Sequence, residues 1–152
     1  MHEDAWTQRL NDLAKYLISE YGFVETNRLL PAGEGIVDKL PELAGEKLDK
    51  ELSQLDGWEH VERALPDDYP NTRYEIRKLY TFGSFPDAIR FMNEAVAICE
   101  NFQPYPHHPR WENMWKTVTV WLTTWDMKHK ITEMDIRMAV ELDRLKARLF
   151  AN

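Results

Sequence analysis

The chain of 152 residues carries one cysteine, Cys99, and a single thiol excludes an intrachain disulfide framework. Cys99 falls within an apolar helical pattern, so it reads as a buried, inert thiol in a reducing cytoplasm. Long apolar runs are missing too. No stretch of 18 apolar residues offers a membrane span, and the start Met1-His2-Glu3-Asp4 is acidic where a signal peptide would be basic. The expectation is a cytoplasmic protein without a membrane partner. Positive charge is scarce, with 19 Lys and Arg against 26 Asp and Glu and a formal charge of -7. A phosphate-backbone binder would show a basic patch or stripe, so no direct nucleic-acid contact is expected. Internal repeats and low-complexity tracts are absent, which sets aside solenoids and linker-like chains.

What is present is enough apolar sequence, 43% of residues, for one core, in a chain too short for two full domains. Trp6, Leu10, Leu13, Leu17 and Tyr21 recur at helical spacing between Asp4 and Gly22, predicting a first helix. Pro31, Gly33, Gly35 and Pro41 then mark a loop. The division follows: an N-terminal helical extension and loop over 1–38, and a main domain over 39–152. Within the latter, Leu43, Leu48, Leu52 and Leu55 predict a helix over 42–55 that Asp56-Gly57 stops, and Trp58 begins a strand. The turn formers Asp67 to Asn71 and the run Tyr74 to Phe82 complete a hairpin. Ser84 and Asp87 read as a cap for a helix whose stripe is Ala88, Phe91, Met92, Ala95, Ile98 and Cys99. Alternation from Thr117 to Trp125 sets Val118, Val120 and Leu122 against Thr119, Trp121, Thr123 and Trp125. Thr132 and Asp135 open a last helix carrying Met138, Leu142, Leu145 and Leu149. The fold class is α+β: a four-stranded antiparallel sheet with helices packed on one face, in the order α-β-β-α-β-β-α, plus the N-terminal helix.

Three features have more than structural content: Gly57-Trp58 before the hairpin, Phe82-Gly83-Ser84-Phe85-Pro86-Asp87-Ala88 through Cys99-Glu100, and His107-His108-Pro109 followed by Thr123-Thr124-Trp125-Asp126. Together, over about Glu42 to Leu145, they resemble the pterin-4a-carbinolamine dehydratase family. The resemblance implies dehydration of 4a-hydroxytetrahydrobiopterin to the quinonoid dihydropterin in tetrahydrobiopterin recycling, without metal or cofactor. Histidines suit that chemistry, because expelling hydroxide as water needs a proton donor and forming the C=N bond needs a base for the N–H proton. An imidazole with an ordinary pKa of about 6.5 does either near neutrality.

By resemblance, His107 and His108 are the catalytic pair, with His108 as general acid or base and His107 binding and polarising the pterin. Trp125, Glu100, Asp135 and Pro109 are the implied substrate-binding residues. Two positions depart from the family. Trp125 stands where a third histidine is usual, and Gln103 stands where an acidic residue precedes the first histidine, leaving Glu100 seven residues before His107. Trp121 reads as a packing residue and Trp125 as part of the site. Metal is not expected, since His107 and His108 are neighbours without a ligand partner at normal spacing and His2, His60 and His129 fall in unrelated segments. The resemblance also implies a homodimer or homotetramer, and the extension is expected to cover apolar surface on its own subunit or a neighbour. A rival reading, from members of the same fold, is a weak or inactive dehydratase acting as a protein partner: a transcriptional coactivator or a RuBisCO assembly factor.

Overall fold

The structure is a computed structural model and describes residues 7–13, 40–64 and 72–151. The chain divides into two compact units, Met1–Leu40 and Pro41–Asn152. In the first, residues 7–13 are helical (α1), with Leu10 and Leu13 exposed. Trp6, Leu17, Tyr21, the loop beyond them and the hairpin turn at Asp67–Asn71 lie outside the described residues.

The second unit runs α2 (Gly45–Ser53), β1 (Glu59–Ala64), β2 (Thr72–Thr81), α3 (Phe85–Glu100), β3 (Arg110–Met114), β4 (Thr117–Leu122), a 3-10 turn (Trp125–Met127) and α4 (Glu133–Leu149). The strands form one antiparallel sheet in the order β1-β2-β4-β3, the expected α+β architecture. Helices α3 and α4 pack on each other and on β4. The inward residues of the sheet are those that alternation selects: Ile76, Tyr80, Val118, Val120 and Leu122 are buried. They meet Ala88, Phe91, Ala95 and Cys99 of α3 and Met138, Ala139, Leu142 and Leu145 of α4. Burial pushes the Cys99 thiol up to about 11, so it carries almost no thiolate near neutral pH. Among the described residues, no helix is long and apolar enough to cross a membrane.

Two boundaries differ from the sequence expectation by three residues. Helix α2 starts at Gly45 rather than Glu42, because the preceding residues pair with the segment before α4: the Leu43 amide donates to the Ile131 carbonyl at 2.7 Å, and Glu42 bridges Thr132. Strand β4 ends at Leu122 rather than Trp125. Beyond it the chain folds over into the 3-10 turn, and Thr124 pairs with Lys130 to close a short loop.

Both predicted caps form. Asp87 N–H donates to Ser84 Oγ at 3.2 Å, with a proline in the first turn of α3. Replacing Ser84 with Ala should lower stability by about 1 kcal/mol, measured as a urea midpoint shift at unchanged slope. A shift below a third of that would show that the bond contributes nothing net. Across the core, Asp143 of α4 accepts from Tyr80 Oη (2.6 Å), Lys78 Nζ (2.9 Å) and Trp58 Nε1 (3.1 Å). This ties α4 to the sheet and to Trp58, the residue just before β1. Burial and the Asp143 carboxylate push the Tyr80 phenol far above its ordinary value, so it remains a donor at all ordinary pH.

Candidate active site

The loop between α3 and β3 delivers the two histidines to different places. At its start Glu100 is the last residue of α3, and the His107 amide donates back to the Cys99 carbonyl at 3.1 Å. That bond fixes the chain direction so that consecutive side chains diverge. His107 turns inward and is only 3% exposed. Its Nε2–H donates to Asp135 Oδ1 at 2.7 Å, and its ring stacks on Phe102 with centroids 5.8 Å apart. His108 turns outward, its side chain 59% exposed, with Nε2–H donating to Glu100 Oε1.

Asp135 is fully buried and is the centre of a closed hydrogen-bond network. Its Oδ2 accepts from Thr124 Oγ1 and from the Thr132 amide, both at 2.9 Å. Thr124 thus spends its proton on the carboxylate, so the 2.7 Å contact between the two threonine hydroxyls has Thr132 as donor. Thr132 Oγ1 in turn accepts from the Met134 amide at 3.2 Å. Asp135, the acidic half of the capping box of α4, is therefore also the anchor of His107.

On the sheet face away from the helices lies a cleft of about 270 Å³, walled by His108, Pro109 and Arg110 on one side and by Trp121, Thr123, Trp125 and His129 on another. Arg73 and Glu75 of β2 complete it. Antiparallel register explains the assembly. Arg110 pairs with Trp121 and Trp121 with Arg77, so residues from three strands with the same parity project to one face. Arg110 lies 4.1 Å over the Trp121 ring and donates from Nη2 to Glu75 Oε1 at 2.8 Å. Glu75 is 1% exposed, and its second oxygen, Oε2, has no hydrogen-bond partner among the described residues. A larger groove of about 580 Å³ runs along α3 and α4 past Ile98, Phe102 and Arg137, but neither histidine lines it. Chemistry selects the smaller one, because only it combines an imidazole, flat rings and a buried carboxylate.

Of the six residues singled out from the sequence, His108, Pro109 and Trp125 line this cleft. Glu100 sits behind His108 as its acceptor, and His107 and Asp135 lie in the interior, outside the cleft wall. Trp121, read as a packing residue, is a wall of the cleft. His129, read as belonging to an unrelated segment, faces the same space as His108. Burial, then the charge of Arg73, push its imidazole below the ordinary value against an opposing pull from Glu75. Arg73, Glu75 and Arg110 gave no local sequence signal, since their meeting depends on cross-sheet register.

The match to known proteins covers this unit. Residues 41–145 fit the family described as pterin 4 alpha carbinolamine dehydratase. A provisionally named pterin-4-alpha-carbinolamine dehydratase of Dinoroseobacter shibae is 38% identical over 89 residues, 59% of this chain and 78% of that protein. One from a Chelativorans species is 32% identical over 111 residues, covering 70% of this chain and all of its own length. The crystal structure of a transcriptional coactivator/pterin dehydratase from Brucella melitensis superposes with a TM-score of 0.57 at 30% identity, over 69% of this chain and 98% of that one. The chain belongs to the pterin-4a-carbinolamine dehydratase family.

Proposed function

We propose that the protein dehydrates 4a-hydroxytetrahydrobiopterin to the quinonoid dihydropterin, in the cytoplasm and as a step of tetrahydrobiopterin recycling. The observation that carries this reading is the placement of the His108 imidazole and the Trp125 ring on one cleft. The pterin stacks on Trp125, and His108 exchanges the proton that the reaction moves. Glu100, accepting from His108 Nε2–H, fixes the tautomer and leaves Nδ1 to face the substrate. Asp135 and His107 act from behind, holding the loop that presents His108. The Glu75 oxygen without a hydrogen-bond partner among the described residues is an acceptor suited to the N–H donors on the pyrimidine edge of a pterin.

The test is to generate the 4a-hydroxytetrahydropterin in situ and follow its dehydration with the full chain. A rate no faster than buffer would sink the enzymatic reading. It would leave the rival, a protein-binding relative, which is favoured by the exposed Met114 and Trp115 at the β3–β4 turn and by the similarity to the transcriptional coactivator/pterin dehydratase of Brucella melitensis. Replacing Trp125 with Ala should raise KM up to about tenfold, the equivalent of roughly 0.5–1.5 kcal/mol of ring stacking, with kcat little changed. Unaltered KM would remove Trp125 from the binding surface. The subunit is proposed to assemble as a dimer or tetramer, with the 1–38 extension over apolar surface. Unchanged oligomer size after deletion of residues 1–30 would count against that role for the extension.

A further inference from the structure

Dehydration of a carbinolamine moves two protons, one to the departing hydroxyl and one away from nitrogen, and so calls for two proton-handling groups around one substrate. His108 is one. His107 is poorly placed to be the other: it is 3% exposed, its Nε2 is engaged by Asp135, and it does not line the cleft. A second imidazole does line it, brought by a different segment of the chain.

The segment from Thr123 to Lys130 is built to hold that residue in place. The Thr124 amide donates to the Lys130 carbonyl at 2.8 Å, the Lys128 amide to the Trp125 carbonyl at 3.0 Å, and the Tyr74 amide of β2 to the His129 carbonyl at 2.9 Å. Lys130 Nζ lies 4.2 Å from the Tyr74 ring centre. Within this closed loop both Lys128 and His129 adopt left-handed backbone, with φ of 58° and 60°. Two consecutive non-glycine residues in that region carry a conformational cost that surrounding bonds must hold. The outcome is a histidine that lines the same cleft as His108 and Trp125.

We propose that His129 is a catalytic residue of this chain, acting as the base that complements His108 in the dehydration assigned above, a reading on which this inference rests. In the step, the N5–H bond of the carbinolamine breaks and its proton passes to His129. The freed electron pair forms the C4a=N5 bond, the C4a–O bond breaks, and the leaving oxygen takes a proton from the His108 imidazolium to depart as water. His129 ends protonated and His108 neutral, and exchange with solvent through the open cleft restores both. The charged and titratable groups facing His129 are Arg73 and Glu75 of β2, His108, and Arg110 of β3. Burial and Arg73 lower its pKa from 6.5, Glu75 opposing, so it is neutral at pH 7, as a base must be.

The experiment is His129→Asn, since asparagine accepts left-handed backbone readily and preserves the loop. With the in-situ carbinolamine as substrate, kcat should fall about 100-fold with KM within about twofold, an unchanged melting temperature, and loss of the activity decline that His129 protonation imposes below pH 6.5. A purely structural role would move melting and leave the pH profile intact. Wild-type kcat and an unaltered acid limb in the variant would overturn the proposal while leaving the dehydratase reading in place. A wild type no faster than buffer would overturn both, so the two failures are distinguishable.

Discussion

His108→Ala should lose about 10³-fold in kcat for carbinolamine dehydration while melting within roughly 2 °C of the wild type. The rate term follows from removing a positioned proton donor or acceptor, an effect of about 10²–10⁴. The near-absence of a stability term follows from exposure: the side chain is 59% accessible and its one partner, Glu100, is 57% accessible. Surface changes of that kind stay within roughly 0.5 kcal/mol, and an exposed ion pair contributes little once screened by water. Equal rates for variant and wild type would remove His108 from the reaction. A large drop in melting temperature would show that the loop depends on its contact with Glu100, contrary to the geometry.

Asp135→Ala should produce the opposite pattern, a loss of about 3–5 kcal/mol of stability. Three donors, His107 Nε2–H, Thr124 Oγ1–H and the Thr132 amide, converge on this fully buried carboxylate. Deleting it leaves each of them in the interior without an acceptor, at about 1–3 kcal/mol apiece before relaxation, and also removes half of the cap of α4. For a unit of this size the melting temperature should fall by roughly 15 °C, read by circular dichroism. Asp135→Asn keeps an acceptor oxygen but presents an amide donor to at least one donor, so it should fall between. A loss under 1 kcal/mol in the alanine variant would mean the network is compensated elsewhere. On these expectations the adjacent histidines divide the work: one changes the rate and the other holds the frame.

How much of this was legible in the sequence depends on the range of the interaction that decides it. Period-two alternation at Val118, Val120 and Leu122 and the caps at Ser84 and Thr132 are local signals, and each has its expected place. The reach of β4 is misread because alternation continues to Trp125 whereas the backbone pairing does not: Thr124 is taken by Lys130 in the loop and by Asp135 in the core. Glu100 reaches His108 because the C-terminus of α3 and the outward turn of the loop bring them together, which spacing alone does not show. His129 and Glu75 were invisible for a different reason. A histidine in a loop and a glutamate in an alternating strand look solvated, and only the β2–β4–β3 order brings β2 beside the walls of one cleft. A left-handed loop then turns the histidine toward it.

The row formed by Glu75, Arg110 and Trp121 has an electrostatic consequence. The protein as a whole carries -7, yet the cleft is walled by two arginines against one glutamate, so the local field has the reverse sign of the distant one. An uncharged pterin passes between these fields without being steered. An anionic solute is repelled at long range and held at short range, and added salt, by shortening the reach of the outer field to about 8–10 Å near physiological strength, relaxes the first effect more than the second. The cleft is thus a positively biased recess in an acidic particle, and it admits neutral rings most freely.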